Sequence, residues 1–108
     1  RQYRDRQACL KDGGSLIDPA QCPEWAEPQR SYLGAAQEQW LEQALGRSAG
    51  RWNVVGQQTL FGPRDARPGP GQRFWNDGWD GYPAARTRLL DALQRQRVSN
   101  PVFFGGDV

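Results

Sequence analysis

The sequence predicts an α/β fold in which parallel strands alternate with helices in the order strand, helix, strand, helix, strand, with two long loops inserted. Two segments place apolar residues at intervals of three and four, which is typical of helices packed on one face. Short runs rich in β-branched and aromatic residues separate and follow these segments, as expected of buried strands. Stretches rich in proline and glycine indicate the loops.

The first 30 residues are predicted to be mostly loop. The segment Gln2-Tyr3-Arg4 is interpreted as the tail of a strand whose apolar part lies before the sequence. From Gln7 to Arg30 prolines interrupt the chain, and Trp25 is expected to pin this loop to a hydrophobic surface. Because the sequence does not begin with Met and contains none, we expect residues 1–108 to be a single fragment of a longer protein.

Cys9 and Cys22 lie in this loop, and a disulfide between them would hold it together. On the chain-entropy model, closing a loop of this length stabilises the fold by about 3 kcal/mol. Such a pair indicates an oxidising compartment, a periplasm or the cell exterior. The alternative is two free thiols in a cytosolic protein. No stretch is apolar enough to span a membrane, and no signal-peptide pattern opens the sequence.

The first helix is predicted to run from residue 32 or 34 to Leu45. Ser31 is a suitable N-cap, and Gly46 is a suitable C-terminal stop. Trp40 falls on the apolar stripe, so we expect it to anchor this helix in the core.

Pro83 opens the second predicted helix, which ends at about Arg95 or Arg97. Proline is tolerated at the first helical position because its missing N–H would have no partner there. Alanines and leucines supply a buried face. Arg86 lies in the first turn, where we expect an ion pair with Asp80.

The two later strands both end in polar residues. The strand predicted for 51–58 ends in Gln57 and Gln58, and the run 100–108 ends in two glycines followed by Asp107. Because the carboxyl ends of parallel strands share one edge of a sheet, where ligands bind, we expect these residues to face one cleft. Alternatively, Gln57 and Gln58 are amides that cap a loop, and Asp107 lies in a solvated turn.

The most distinctive segment runs from Phe74 to Tyr82 and interleaves aromatic residues with acids and glycines. Its rings can stack on a sugar or a base while the acids accept hydrogen bonds. Alternatively, the segment forms a lid whose rings pack back on the body. In the first case Trp79 and Asp80 would face the cleft at the strand ends.

The composition excludes several kinds of function. The sequence contains no His, so neither a Ser-His-Asp triad nor a His-ligated metal site can be completed within it. The formal net charge of +2 is too small to argue for binding to nucleic acid, and acids within the aromatic segment would repel a phosphate backbone. No catalytic residue is assigned.

Several phrases, in order and across nearly the whole chain, resemble the PhoD-like alkaline phosphatase D family of metallophosphoesterases. They are Arg1-Gln2-Tyr3-Arg4, Leu33-Gly34-Ala35-Ala36-Gln37 with Trp40-Leu41, Trp52-Asn53-Val54-Val55 with Gln57-Gln58, Trp79-Asp80-Gly81-Tyr82-Pro83 with Arg86, and Gly106-Asp107-Val108.

The resemblance implies part of a metallophosphoesterase α/β sandwich from a secreted phosphomonoesterase or phosphodiesterase that uses calcium and iron. In this family the Gly-Asp-Val phrase is followed by His and belongs to the metal centre, which makes Asp107 a metal ligand. The phrase with Trp79, Asp80 and Tyr82 would border the active-site mouth. Gln57 and Gln58, selected by their position at a strand end, complete the set expected at the mouth or directly behind it. The loop between Cys9 and Cys22 resembles a cysteine-bearing insert, which agrees with export.

The metal site cannot be completed within this sequence, because one carboxylate cannot hold two or three ions. We therefore expect the isolated chain to be inactive. Its partners would be a phosphate ester substrate and the rest of the parent catalytic domain, with nucleic acid relevant only as a diester substrate. The competing hypothesis is a small secreted module that binds carbohydrate through Trp75, Trp79 and Tyr82.

Overall fold

The structure is a computed structural model that describes residues 3–10 and 15–107. Its strands and helices, in chain order, are β1 (Leu16–Ile17), α1 (Ala35–Gly46), β2 (Asn53–Gly56), β3 (Phe74–Trp75), α2 (Pro83–Arg95) and β4 (Pro101–Phe104). The predicted α/β class is confirmed. Neither helix in these ranges is long and apolar enough to cross a membrane.

β2 and β4 pair in parallel, as predicted. Asn53 lies opposite Pro101 at one end of the pair and Gly56 lies opposite Phe104 at the other. α2 connects the two strands, so β2, α2 and β4 form one strand-helix-strand unit. The carboxyl ends of both strands therefore lie at the same edge of the sheet.

A second pair of strands lies in segments that were predicted to be loop. β1 and β3 pair antiparallel, and the amide of Asn76 extends the contact by donating to the Ser15 carbonyl at 2.7 Å. Each strand has two residues, which is too short to show an alternating pattern. The strand expected at residues 2–4 is wrong for Tyr3 and Arg4, which form a bend, and Gln2 lies outside the described residues.

The start of α1 differs from the prediction. Gly34 is the N-cap, with φ at +82°, a conformation that glycine adopts without steric cost. A Cβ at this position would also collide with the Tyr3 carbonyl. Ser31 is not the cap, since its hydroxyl donates to Glu38 Oε2 at 2.6 Å. By contrast, Pro83 is the first residue of α2, as predicted.

The core lies around α2. Ala85 and Leu89 of this helix pack with Tyr32, Trp79 and Tyr82, all of them buried. The Tyr32 ring lies 4.6 Å from the Trp79 ring and 5.3 Å from the Tyr82 ring, measured between centroids. Burial raises the pKa of the Tyr82 hydroxyl above its ordinary value. This aromatic corner joins the end of the second long loop to α2.

The prediction that Trp40 anchors α1 in the core is wrong. Its side chain is 63 % exposed, and no residue of α1 is buried. Leu41 and Leu45 are only partly buried against the core. The three-and-four spacing identified the apolar face correctly, but none of the described residues covers the part of that face that contains Trp40.

The first long loop is closed by an internal disulfide and is attached to the body through Trp25. Cys9 and Cys22 form a disulfide. Trp25 stacks on Phe74, with ring centroids 5.6 Å apart, and its indole N–H donates to the Asp80 carbonyl at 2.6 Å. The predicted pinning of this loop by Trp25 is therefore confirmed.

Candidate active-site cleft

A cleft of about 380 Å³ lies beyond the carboxyl ends of β2 and β4. Asp107 reaches it from the end of β4, and Trp79 and Asp80 line it from the turn before α2. Three of the residues selected from the sequence therefore share one cleft. The described residues that line it are Ser15, Leu16, Leu60, Arg64, Ala66, Trp75, Gly78, Trp79, Asp80 and Asp107.

Contacts just beyond the paired strands position Asp107. The amide of Gln57 donates to the Phe104 carbonyl at 2.8 Å, which continues the parallel ladder past β2. Gly105 then lies so close to the Gln57 side chain and the Thr59 carbonyl that a Cβ would collide with both. Asp107 has φ at +54°, a left-handed conformation in which Asp is among the more frequent non-glycine residues.

Gln57 connects β2 to the aromatic segment. Its Oε1 accepts a hydrogen bond from Trp79 Nε1 at 2.9 Å and another from the Thr59 amide at 3.2 Å, while its Nε2 donates to the Thr59 carbonyl. Gln57 is thus a loop-capping amide, the plain alternative left open by the sequence. It also holds the indole of Trp79 at the back of the cleft.

The ring of Trp79 packs against the protein. Its side chain is 2 % exposed and contacts Phe61 at 5.1 Å in addition to Tyr32. The aromatic segment was expected either to stack on a sugar or base or to pack back on the body. Trp79 packs on the body. Trp75 is only half-buried, and its ring forms part of the cleft wall.

Asp80 organises the floor of the cleft through its two carboxylate oxygens. Oδ1 accepts from Arg86 Nη1 at 2.5 Å, which confirms the predicted ion pair, and Oδ2 accepts from the Arg64 amide at 2.9 Å. The side chains of Asp80 and Arg86 are 9 % and 13 % exposed. Arg86 balances the charge of Asp80. Through these two contacts Asp80 connects the second long loop to α2.

Gln58 and Tyr82 lie away from this cleft. Gln57 and the exposed Gln58 both line a separate groove between α1 and β2, so the prediction that these amides share a cleft with Asp107 is wrong. Tyr82 has no exposed surface, and its hydroxyl donates to the Asp5 carbonyl at 2.7 Å. Tyr82 can therefore support the mouth from behind but cannot line it.

The described residues do not form a metal centre by themselves. Across residues 3–10 and 15–107, no group of three or more His, Cys, Asp or Glu side chains is placed to hold a metal ion. The two carboxylates of the cleft belong to Asp80, which is paired with Arg86, and to Asp107. Among the described residues, the cleft therefore brings together two carboxylates.

Most of the residues that line the cleft were not selected from the sequence, among them Arg64 and Leu16. Arg64 follows Pro63 in the second long loop, and Leu16 belongs to the disulfide-bonded loop. Neither lies in a motif, and both segments were treated as irregular. One signal in the sequence could have identified Arg64. It is a cation directly after a proline, in the loop that follows the strand predicted for 51–58.

The groove between α1 and β2 is larger, at about 560 Å³, and lies next to a bare apolar surface. Trp40 and Val54 line it, and they are 63 % and 62 % exposed. Tyr3, also in its lining, is 75 % exposed.

Comparison with known proteins gives consistent matches over the whole chain. The model of the family described as PhoD-like phosphatase matches residues 1–108. Alkaline phosphatase D of Bacillus subtilis (strain 168) is 40% identical over 108 residues, which are 100% of this chain and 18% of that protein. A solved structure of PhoD matches with a TM-score of 0.87 and 38% identity, covering 100% of this chain and 20% of that one. The chain thus spans about one fifth of the length of these relatives.

Proposed function

The chain belongs to the PhoD-like phosphatase family, and we propose that it forms part of a metal-dependent phosphatase that hydrolyses phosphate esters with a metal-activated water. The observation that supports this best is the position of Asp107, which lines one cleft together with Trp79 and Asp80. Asp107 reaches that cleft after β4, at the position where the family resemblance implies a metal ligand.

The contacts around Asp107 would hold its side chain in place as a metal ligand. Gly105 permits close contact with Gln57, and Gln57 is itself hydrogen-bonded to Trp79. When bound, metal ions of the kind the resemblance implies, calcium and iron, would neutralise the ester oxygens and lower the pKa of a bound water far below its bulk value, to about 7. Asp107 would offer a carboxylate oxygen, a ligand that hard cations prefer.

The remaining ligands would come from the rest of the parent protein. We place the contact with that part at the α1–β2 groove, because a two-stranded parallel sheet needs cover on both faces and further strands to be stable. The exposure of Trp40 and Val54 supports this assignment. We also propose that the protein is exported, which the disulfide between Cys9 and Cys22 supports.

The geometry argues against the carbohydrate-binding hypothesis. Stacking on a sugar requires an open ring face, but Trp79 is 2 % exposed and Tyr82 is 0 % exposed. Both rings also contact Tyr32 in the core. Of the three rings expected to bind sugar, only Trp75 is placed to do so.

The test is substitution of Asp107 in the complete protein that contains this chain. We expect Asp107→Asn to lower kcat/KM for p-nitrophenyl phosphate at least about 100-fold, since a charged ligand to the metal is lost. Metal content, measured by mass spectrometry, should fall in the same variant. Asp91→Asn is the matched control, because Asp91 is exposed on α2 and lies outside the cleft.

Full activity and full metal content in Asp107→Asn would contradict the proposal. The isolated 108-residue chain should hydrolyse no ester even with added calcium and iron. Measurable turnover by that chain would show that it contains a complete site, contrary to the assignment of the other ligands to the parent protein.

A further inference from the structure

We propose that Arg64 binds the phosphate group of the substrate in the strand-end cleft, and that Leu16, Leu60 and Trp75 receive the organic group of the ester. This proposal rests on the function proposed above and names the residues and the substrate class that would account for its specificity. Arylphosphates and other esters with an apolar organic group would be preferred over small polar ones.

Arg64 is the one cation among the described residues that line the cleft. Its side chain is exposed, and no carboxylate in the described part of the chain lies within ion-pair distance of its guanidinium. Asp80 contacts only the backbone of Arg64 through this residue's amide and is already paired with Arg86. The guanidinium is therefore available to an anion that enters the cleft.

The backbone contact holds Arg64 at the cleft edge. Its amide donates to Asp80 Oδ2 at 2.9 Å, and Pro63 before it restricts the approach of the loop. Any residue except proline could make that backbone hydrogen bond. The fold therefore uses the backbone of residue 64 and does not need its guanidinium. Phosphate binding would use the guanidinium, because its planar N–H donors match pairs of phosphate oxygens.

Another part of the lining is apolar. Leu16 is 41 % exposed, and Leu60 and Trp75 are half-buried. Leu16 lies opposite Trp75 in the β1–β3 pair, so the two side chains are held in the same wall. A cleft with a cation and a carboxylate beside an apolar wall suits an ester with a charged phosphate and an apolar organic group.

The first experiment measures phosphate recognition in the complete protein. Arg64→Gln should raise KM for phenyl phosphate and Ki for inorganic phosphate about 10- to 100-fold, the effect of losing hydrogen bonds between charged groups. Arg64→Lys should retain part of the affinity, because it keeps the charge but not the paired donors.

Arg67→Gln is the matched control. Arg67 is an exposed cation in the same loop, but it lies 3.7 Å from Asp18 and does not line the cleft. Equal effects of the two glutamine substitutions would overturn the proposal, since net charge alone would then explain them. If the wild-type protein hydrolyses no ester, the proposed function fails, and calorimetry with inorganic phosphate still tests whether Arg64 binds it.

The second experiment measures the preference between phenyl and methyl phosphate. Leu16→Ser should lower the ratio of kcat/KM for the two esters about 3- to 10-fold, because apolar contact with the ring is lost. Leu10→Ser is the control, since Leu10 is 48 % exposed in the same loop and lies outside the cleft. An unchanged ratio in Leu16→Ser would exclude the apolar wall from substrate recognition.

Discussion

α1 and α2 have similar lengths, 12 and 13 residues, and each has an apolar stripe, yet they are buried to very different extents. α2 buries Ala85, Leu89, Ala92 and Leu93. No residue of α1 is buried. An apolar stripe therefore predicts which face of a helix packs against another element. It does not predict whether that element lies nearby in the sequence.

The covered helix has its partner within the described residues. The aromatic corner of Tyr32, Trp79 and Tyr82 packs directly on α2. The corner is itself held by polar contacts at its edges, such as the hydrogen bond from Tyr82 to the Asp5 carbonyl. Burial of the rings together with satisfied hydroxyl groups stabilises this corner.

The bare helix is held partly by a charged pair. Arg88 Nε donates to Glu38 Oε1 at 2.5 Å, and Arg88 Nη2 donates to the Arg30 carbonyl at 2.9 Å. The hydrogen bond with Glu38 raises the pKa of Arg88 above its ordinary value. This contact orients α1 against α2 and leaves the outer face around Trp40 open.

The largest expected effect comes from the aromatic corner. Tyr82→Ala in the complete protein should lower the free energy of unfolding by about 3–5 kcal/mol, because a fully buried ring is removed. Tyr82→Phe keeps the ring and loses one hydrogen bond, which costs about 1 kcal/mol. Urea denaturation measures both values. A cost below about 1 kcal/mol for Tyr82→Ala would contradict the placement of the core around α2.

The next effect concerns the loop that forms one wall of the cleft. Replacing Cys9 and Cys22 together by Ser should cost about 3 kcal/mol, since the disulfide closes a loop of moderate length. Faster hydrogen exchange should appear at Leu16, which the loop brings to the cleft. Wild-type protein treated with reductant should behave in the same way. Unchanged stability in both cases would show that other contacts suffice to hold the loop.

The smallest effect tests the bare face of α1. If the rest of the parent protein covers Trp40, Trp40→Ala in the complete protein should cost about 2 kcal/mol through lost apolar contact. Gln39→Ala is the control on the same helix, as Gln39 is also exposed. A cost within about 0.5 kcal/mol for Trp40→Ala would mean that this face stays open to solvent.

Features encoded by local patterns were predicted well. Pro83 starts α2 because the first turn of a helix does not need its N–H, and Asp80 pairs with Arg86 because the two flank that turn. The parallel pairing of β2 and β4 followed from the strand-helix-strand order. Each of these depends on residues near one another in sequence or on a general rule of topology.

Features that depend on distant contacts were not predictable. β1 and β3 have two residues each and are separated by 56 residues, so no local sequence pattern predicts their pairing. Gly34 caps α1 partly because the Tyr3 backbone passes beside it. Arg64 joins the cleft because Asp80 binds its amide. The position of each was decided by a partner that lies elsewhere in the chain.

The α/β class, the shared edge of β2 and β4 and the position of Asp107 near that edge could all be predicted from the sequence, because helical spacing and strand order are local properties. The burial of Tyr82 and the exposure of Trp40 were visible only in the folded chain. Burial depends on which atoms pack over a side chain, and those atoms come from elements far away in the sequence. The two aromatic residues differ in their neighbours, not in their apolar character.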